Sequence, residues 1–285
     1  MTAFAKKRPR YWHLLAMVPV FVAAFLSVIG TGGDSDGLNL VTCAPDEVSN
    51  RNFSAQEPFS FNINVVNHVD LLMNAKDGDI TISGIPGSAS ITIIGTRRVQ
   101  SESVADAQAH LAKLQVSVQD LTTRARVETS QPQCPLGRGY FVDYTVTLPS
   151  FFALILNNNG GDVTLDALGG KVSMNNIAGT ITLTDISGNA EINLLSGNIV
   201  AGIASLPLNG RIDMTVLSGN IDLEIPVNTS AEFFARVFSG SINVSNLALD
   251  NEIITATTVS GTLGGGQGEI QLETQVVGDI DVTGI

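Results

Sequence analysis

The chain has 285 residues, of which 44% are hydrophobic, 6% are aromatic and 28 are glycine. This composition favours many small aliphatic strands joined by glycine turns over a single core of bulky side chains. The formal net charge is −12, and because an acidic surface repels phosphate backbones, the charge argues against nucleic acid as a partner.

The N-terminal segment, residues 1–30, has the sequence pattern of an export signal or a membrane anchor. Basic residues at positions 6, 7, 8 and 10 precede an apolar run from Leu14 to Ile29. Small residues at Gly30 and Gly32 permit cleavage, whereas the run counted from Tyr11 to Gly30 is just long enough to span a bilayer if it stays uncut. Both alternatives place the rest of the chain outside the cytoplasm, in the cell envelope.

Residues 31–42 are predicted to form a flexible linker, because the stretch is rich in glycine and aspartate at its start. The two cysteines of the chain, Cys43 and Cys134, follow. In an exported protein an even cysteine count predicts one disulfide, and a loop of about 90 residues closed by it would stabilise the fold by about 3–5 kcal/mol in the chain-entropy model. The alternative is two unpaired buried thiols.

Residues 43–150 are predicted to form an N-terminal β part that contains one helix. Apolar and polar residues alternate from Phe59 to Val65, as in a strand with one buried face. An amphipathic helix is predicted at about 101–114, capped by Ser101 or Ser103. Its apolar positions at helical spacing are Val104, Ala107, Leu111 and Leu114. Strands resume after the helix, and the last of them ends at Pro149.

Residues 151–285 repeat a short phrase, in which a glycine is followed by alternating polar and aliphatic residues. An earlier copy is Gly78-Asp79-Ile80-Thr81-Ile82. The intervals between the later copies, 17 to 22 residues, are typical of stacked repeats. The glycines that begin these copies, and that are expected to form the turns, are Gly161, Gly179, Gly197, Gly219, Gly240, Gly261 and Gly278.

The repeat predicts an all-β fold, a parallel β-solenoid with one inserted helix and a preceding membrane segment. Alternation puts the aliphatic residues on one face of each strand, and stacking of the copies buries that face. An antiparallel sandwich also has short strands between turns, but it does not explain a phrase that recurs at the length of one coil. The expected internal ladder is Ile181, Ile199, Ile221, Ile242, Leu263 and Ile280.

Several of these segments together resemble a known family. They are Val142–Pro149, the unit Gly161-Asp162-Val163, the Ser-Gly-Asn-Ile repeats, and the closing segments Gly261–Gly266 and Thr274–Ile280. In their order and spacing they look like the bacterial putative-adhesin domain, which is related to the head domain of some proposed autotransporter adhesins. The resemblance covers about residues 59–285. It implies a parallel β-solenoid on a cell-envelope protein and no catalytic residues.

Few residues have the pattern of a catalytic site. In the exported body the only histidines are His68 and His110, and no glycine-x-serine-x-glycine elbow occurs. A hydrolase would need a nucleophile, a base and an orienting acid close together. We therefore expect no catalytic residues, and we interpret the two histidines as structural.

Clustered acids raise a second hypothesis, because solenoids also host polysaccharide lyases that hold calcium. Asp222 with Glu224, and Asp279 with Asp281, each place two carboxylates on one face of a strand, so these four residues are weak calcium candidates. The alternative is a solvated acidic face that keeps the stack soluble. A lyase would also need a basic residue, and the repeats contain only Lys171, Arg211 and Arg236.

Asparagines recur through the repeats and are expected at the corners, where this residue tolerates left-handed backbone angles. The alternative is a row that binds a glycan. The residues concerned are Asn157, Asn158, Asn159, Asn175, Asn176, Asn198 and Asn220.

Together these observations predict a non-enzymatic cell-envelope protein without a cofactor, with an adhesive or structural role toward a carbohydrate, a matrix or another envelope protein. One alternative is a carbohydrate-active β-helix enzyme, and another is a membrane-tethered scaffold or signalling partner. The strand at Ile280–Val282 is expected at the end of the stack. Its unpaired backbone groups predict a docking edge or weak self-association.

Overall fold

Alternating aliphatic and polar residues build the strands of two facing sheets, as Ile221–Ile225 illustrates. Ile221, Leu223 and Ile225 are buried between the sheets, whereas Asp222 and Glu224 point outward. The computed structural model describes residues 47–285. The predicted membrane segment, the linker and Cys43 lie outside these residues. Within them, no helix is both long and apolar enough to cross a membrane.

The first sheet, sheet A, has ten strands. They are β1 (Phe53–Asn64), β3 (Ile80–Ile85), β4 (Ser90–Ser101), β7 (Gly139–Pro149), β9 (Val163–Asp166), β11 (Ile181–Ile186), β13 (Ile199–Ile203), β15 (Ile221–Ile225), β17 (Ile242–Ser245) and β21 (Ile280–Gly284).

The second sheet, sheet B, has eleven strands. They are β2 (Asp70–Asn74), β5 (Gln115–Leu121), β6 (Arg124–Ser130), β8 (Ala153–Gly160), β10 (Val172–Ala178), β12 (Ala190–Ser196), β14 (Arg211–Ser218), β16 (Ala231–Val237), β18 (Leu249–Ile254), β19 (Thr258–Leu263) and β20 (Gly268–Val277). One helix, α1 (Val104–Leu111), follows β4.

Each coil of the solenoid consists of one strand in sheet B followed by one in sheet A. Equivalent strands of neighbouring coils pair in parallel, and their aliphatic side chains fill the space between the sheets. The order of the coils in space is β6–β7, β2–β3, β8–β9, β10–β11, β12–β13, β14–β15, β20–β21 and β16–β17. Strands before and after residue 150 therefore share the same two sheets.

The sheets are mixed rather than parallel throughout. At one end β4 pairs antiparallel with β7 and β1, and β5 pairs antiparallel with β6. At the other end β19 pairs antiparallel with β16, and β18 with β19. The prediction of a solenoid-like all-β fold with one short helix is thus confirmed, while its terminal strands depart from parallel pairing.

The internal isoleucine ladder differs from the expected one at two positions. Ile181, Ile199 and Ile221 are paired in register, but the next member is Ile280, followed by Ile242. Leu263 belongs to β19 in sheet B. The prediction that the last strand ends the stack is wrong, because β21 pairs with β15 on one side and β17 on the other.

The helix α1 packs against β1 and β4 beside the first coils. Ser103 is its N-cap, and the hydroxyl accepts a hydrogen bond from the Asp106 backbone N–H at 3.1 Å. The Asp106 carboxylate accepts two bonds from buried Arg138, at 2.7 and 2.8 Å, and one from the Ser101 hydroxyl. These bonds hold the pKa of Asp106 well below its usual value, and the Arg138 bonds contribute most.

Candidate functional site

In seven of the eight coils, glycine occupies the corner where the chain passes from sheet B to sheet A, for a steric reason. At Gly219, where φ is +138°, an added Cβ would lie 1.6 Å from the Gly197 carbonyl oxygen of the next coil. Close approach and positive φ together require glycine. The same combination of positive φ and a backbone oxygen within 2.3 Å occurs at Gly78, Gly161, Gly179, Gly197, Gly240 and Gly278.

Gly261 is different and the predicted turn there is wrong. It lies within β19, where it pairs with Phe233 of β16. The repeat phrase around Gly261 belongs to an antiparallel hairpin laid beside the coils, so this glycine forms no corner.

The polar residue after each corner glycine joins one coil to the next. Asp79 Oδ1 accepts from the Asp162 backbone N–H at 2.9 Å, and Asp162 Oδ1 accepts from the Thr180 N–H at 2.7 Å. Asn198 and Asn220 accept equivalent bonds at 3.0 and 2.9 Å. The carboxylates and amides at these corners therefore have a structural partner in the neighbouring coil.

The four weak calcium candidates do not form one site. Asp279 Oδ1 accepts from the Ser241 backbone N–H and hydroxyl, at 2.7 and 2.8 Å, and these bonds lower its pKa. Asp222 faces Asp281 across parallel strands, and burial and then the charge of Asp281 raise the pKa of Asp222. Among residues 47–285 no three acidic, histidine or cysteine side chains are grouped to hold a metal ion.

The asparagines fall into three groups rather than one corner cluster. Asn198 and Asn220 lie at corners, whereas Asn158 and Asn176 are buried and donate to the Gly160 and Ala178 carbonyl oxygens. The third group forms a ladder of amide hydrogen bonds on the outer face of sheet B. Its members are Asn74, Asn157, Asn175 and Asn193, joined by Nδ2 to Oδ1 distances of 3.0 to 3.1 Å.

The outer face of sheet A carries a row of hydroxyl groups, which we call the threonine row. Thr145 pairs with Thr81, Thr81 with Thr164, and Thr164 with Thr182, so the four occupy one register position on successive strands. A parallel row two residues further on consists of Thr147, Ser83, Asp166 and Thr184. Adjacent strands are about 4.8 Å apart, so the hydroxyls recur at that spacing.

The histidines and basic residues have separate structural partners. His68 Nε2 lies 2.8 Å from Asp120 Oδ1, while His110 Nδ1 lies 3.0 Å from the Asp106 carbonyl oxygen. Arg211 on the outer face of sheet B contacts Asp213 at 2.7 Å and Glu269 of the neighbouring coil at 2.9 Å. Arg211, one of the three basic residues of the repeats, therefore lies beside two carboxylates, because β20 lies next to β14.

These features define a two-sheet β-solenoid with glycine corners and polar ladders on its outer faces. The family model Toastrack DUF4097 matches residues 47–283, and the chain belongs to this family. The resemblance inferred from the sequence, to a putative-adhesin domain of unknown function, is thereby confirmed. No curated protein matches the chain.

Three solved structures are similar to most of the chain. A putative cell adhesion protein from Clostridium sporogenes has 13% identity and a TM-score of 0.45, with 80% of this chain and 100% of that one covered. A putative adhesin from Bacteroides fragilis has 11% identity and a TM-score of 0.28, with coverage of 79% and 97%. A putative lipid binding protein from Parabacteroides distasonis has 10% identity and a TM-score of 0.22, with coverage of 78% and 96%.

Proposed function

We propose that this protein is a non-enzymatic cell-envelope module that presents a repetitive β-solenoid face to an extended polymer, in an adhesive or structural role. The observation that carries the proposal is the threonine row. Thr81 and Thr145 are exposed, and Thr164 and Thr182 are half-buried. Each hydroxyl offers one donor and two acceptor positions, so the row repeats one hydrogen-bonding pattern on four successive strands.

A regularly spaced hydroxyl row suits a partner that itself repeats, and a polysaccharide is the first choice. Its hydroxyl groups can pair with several threonines at once, so that many weak contacts add up. Matrix and envelope proteins are the other partners of this class. The carboxylates Asp222 and Asp281 follow later on the same outer face, so we expect a neutral rather than an acidic polymer on the row.

The protonation state of Arg211 bears on the alternative of a carbohydrate-active enzyme, because a lyase needs a base beside its acids. The hydrogen bond that Arg211 donates to Asp213, and then the charges of Asp213 and Glu269, raise the pKa of Arg211 above its already high usual value. A guanidinium held protonated in this way does not take a proton from substrate. This pairing supports the proposal of a binding rather than a catalytic module.

The proposal is tested by measuring the affinity of the full chain for immobilised envelope polysaccharides. In Thr81→Val/Thr164→Val two neighbouring hydroxyls are lost while side chains that suit a strand remain. Two lost hydrogen bonds should weaken binding about tenfold or more. Thr257→Val, at an exposed turn away from the row, is the matched control. Equal affinities for all three proteins would contradict the proposal.

Localisation is tested separately. We propose that residues 1–30 hold or export the body outside the cytoplasm. Protease added to cells with opened outer layers should then degrade the body while a cytoplasmic marker survives. Full protection of the body would contradict this placement.

A further inference from the structure

The last coil of the stack, β16–β17, leaves one end of the hydrophobic core only partly covered. Ile242 and Val244 of β17 pack against the core and are half-buried. Their register partners on β21, Ile280 and Val282, have no exposed surface. The difference arises because β21 has a strand on each side, whereas β17 pairs with β21 alone. An apolar surface therefore remains open beside β17.

Sheet B continues past the last coil by two strands, β19 and β18, while sheet A ends at β17. Ile254 of β18 pairs with Val259 of β19, which pairs in turn with Ala235 of β16. Directly paired residues of antiparallel strands lie on the same face, and Val259 and Ala235 belong to the buried core. Ile254 is therefore on the inner face of sheet B, yet it is 65% exposed. The inner face of β18 thus extends beyond the last strand of sheet A.

The backbone of β17 has unpaired hydrogen-bonding groups along its open side. Ser241, directly before the strand, directs its carbonyl oxygen toward β21, where it accepts from the Ile280 N–H at 2.9 Å. Successive residues of a strand direct their backbone groups to opposite sides. Those of Ile242 and Val244 therefore point away from β21, where no strand of residues 47–285 pairs with them. Such an edge is a template for one further strand.

The surroundings of this edge are acidic, although β17 itself carries no charge. Residues 231–285 contain seven acidic residues and one basic residue. The basic residue, Arg236, lies 3.1 Å from Glu273. A field of this sign attracts a basic partner and repels an acidic one. A second copy of the chain brings the same acidic residues, so it is the weaker occupant of the edge.

We propose that the open edge of β17 binds an extended segment of a partner protein in which aliphatic residues alternate with basic ones. The segment adds to sheet A as one further strand, so that backbone bonds give affinity and alternate side chains give selectivity. Its aliphatic side chains cover Ile242, Val244 and Ile254. Its basic side chains lie on the outer face, which carries Asp281 on the strand next to β17. This surface is separate from the threonine row.

The proposal is tested by fluorescence anisotropy with the detergent-solubilised full chain. The probe is a short labelled peptide in which valine alternates with lysine, and its matched control has glutamate in place of every lysine. We expect the lysine peptide to bind at least about tenfold more tightly, because its charges have the opposite sign to those around the edge. Equal affinities, or no binding of the lysine peptide, would overturn the proposal.

Methylated peptides test whether the backbone of β17 is the contact. In an extended peptide the N–H groups of alternate residues point to opposite sides. Methyl groups on the valine nitrogens and methyl groups on the lysine nitrogens therefore block different edges of the peptide. One of the two methylated peptides should keep its affinity, and the other should lose about tenfold or more. Equal affinities of the two would show that no strand is added, and the proposal would be wrong.

Two isoleucines of β18 provide matched variants of the protein. Ile254→Lys places a charge on the inner face of sheet B, whereas Ile253→Lys places it on the outer face, since neighbouring residues of a strand alternate. The two positions are 65% and 60% exposed, so neither lysine should unfold the chain. We expect Ile254→Lys to weaken binding of the lysine peptide about tenfold and Ile253→Lys less than about twofold. Equal weakening would mean general attraction to an acidic surface, which contradicts a site at the β17 edge.

Sedimentation distinguishes the peptide from a second copy of the chain as the occupant. If the peptide takes the β17 edge, a saturating amount of the lysine peptide should shift any dimer toward monomer, because the two compete for one edge. A dimer that persists unchanged at saturating peptide would assign the edge to a second copy and overturn the proposal.

Discussion

The steric demand at the glycine corners predicts a large loss of stability in Gly219→Ala. An ideal Cβ would lie 1.6 Å from the Gly197 carbonyl oxygen, so the two coils must separate by more than about 1 Å to reach ordinary contact. That movement strains the bonds from the Gly219 N–H to the Val277 oxygen, at 2.9 Å, and from the Gly197 N–H to the Ser218 oxygen, at 3.1 Å.

Two terms add up to the loss of stability in Gly219→Ala. An alanine forced to positive φ costs about 1–3 kcal/mol, and two weakened backbone bonds cost about 1 kcal/mol each, so we expect a total of about 3–5 kcal/mol. Gly87→Ala is the control. Its φ is +72°, but no atom lies within 4 Å of the added Cβ, so only the first term applies.

The free energy of unfolding is measured by denaturant titration of the parent and both variants, with soluble yield as a second readout. Gly219→Ala should lose clearly more stability than Gly87→Ala. Equal losses would refute the argument, because they would mean that backbone conformation alone, and not the close approach of coils, selects glycine at the corners.

Three further predictions concern the core, the ion pair between Asp106 and Arg138, and the disulfide. Ile221→Ala should cost about 2–5 kcal/mol and Asp222→Ala under about 1 kcal/mol in denaturant titrations, and equal costs would contradict the assignment of inner and outer faces. Because the pKa of Asp106 is lowered in the folded protein, the Asp106 carboxylate stabilises the fold at pH values above its usual pKa of 3.8. This stabilisation is lost as the pH falls further. Acid titration should therefore destabilise the parent more than Asp106→Asn, and parallel curves would count against the stabilising pair of Asp106 and Arg138. Mass spectrometry of non-reduced peptides should detect a bridge between Cys43 and Cys134, whereas two freely alkylated thiols would exclude it.

The local features of the fold are readable from the sequence because they depend on neighbours along the chain. Alternation alone assigns Ile221 to the interior and Asp222 to the surface. The spacing of Ala107 and Leu111 indicates a helix, and a serine three residues before Asp106 indicates its cap. Positive φ and a tight corner both select glycine, so the repeat phrase marks most of the corners.

The order of the coils is not readable in the same way. All strands of the stack carry a similar alternating pattern, so any one of them can pair with any other, and the repeat does not encode which coils are neighbours. The structure inserts β20–β21 between coils that are consecutive in the chain, and it places β2–β3 between β6–β7 and β8–β9.

The threonine row depends on this order, which is why the sequence does not predict it. Thr81 lies between Thr145 and Thr164 only because β3 is inserted between β7 and β9. Arg211 likewise meets Glu269 only because β20 lies beside β14. By contrast, the ladder of Asn157, Asn175 and Asn193 joins coils that are consecutive in the chain, and its spacing of 18 residues was available as a signal.

The same interleaving moves the open end of sheet A from the last strand to β17, which pairs with β21 alone. The terminal strand of sheet B, β18, has acidic Asp250 and an irregular register after it, two features that discourage strand addition. The segment Ile242–Ser245 has no charge, proline or bulge.

We therefore propose that weak self-association occurs through the edge of β17, and we expect Asn243→Lys to weaken it by about tenfold because the charge lies on that edge. Thr182→Lys, on the same outer face but in an interior strand, is the control for charge. Ile280→Pro should instead destabilise the fold, since the Ile280 N–H donates to the Ser241 oxygen at 2.9 Å inside the sheet. Sedimentation of the detergent-solubilised full chain over a range of concentrations distinguishes these outcomes. A parent that stays monomeric at all concentrations would contradict self-association through β17. Equal weakening by both lysines would contradict it as well, because a general charge effect does not depend on which strand carries the lysine.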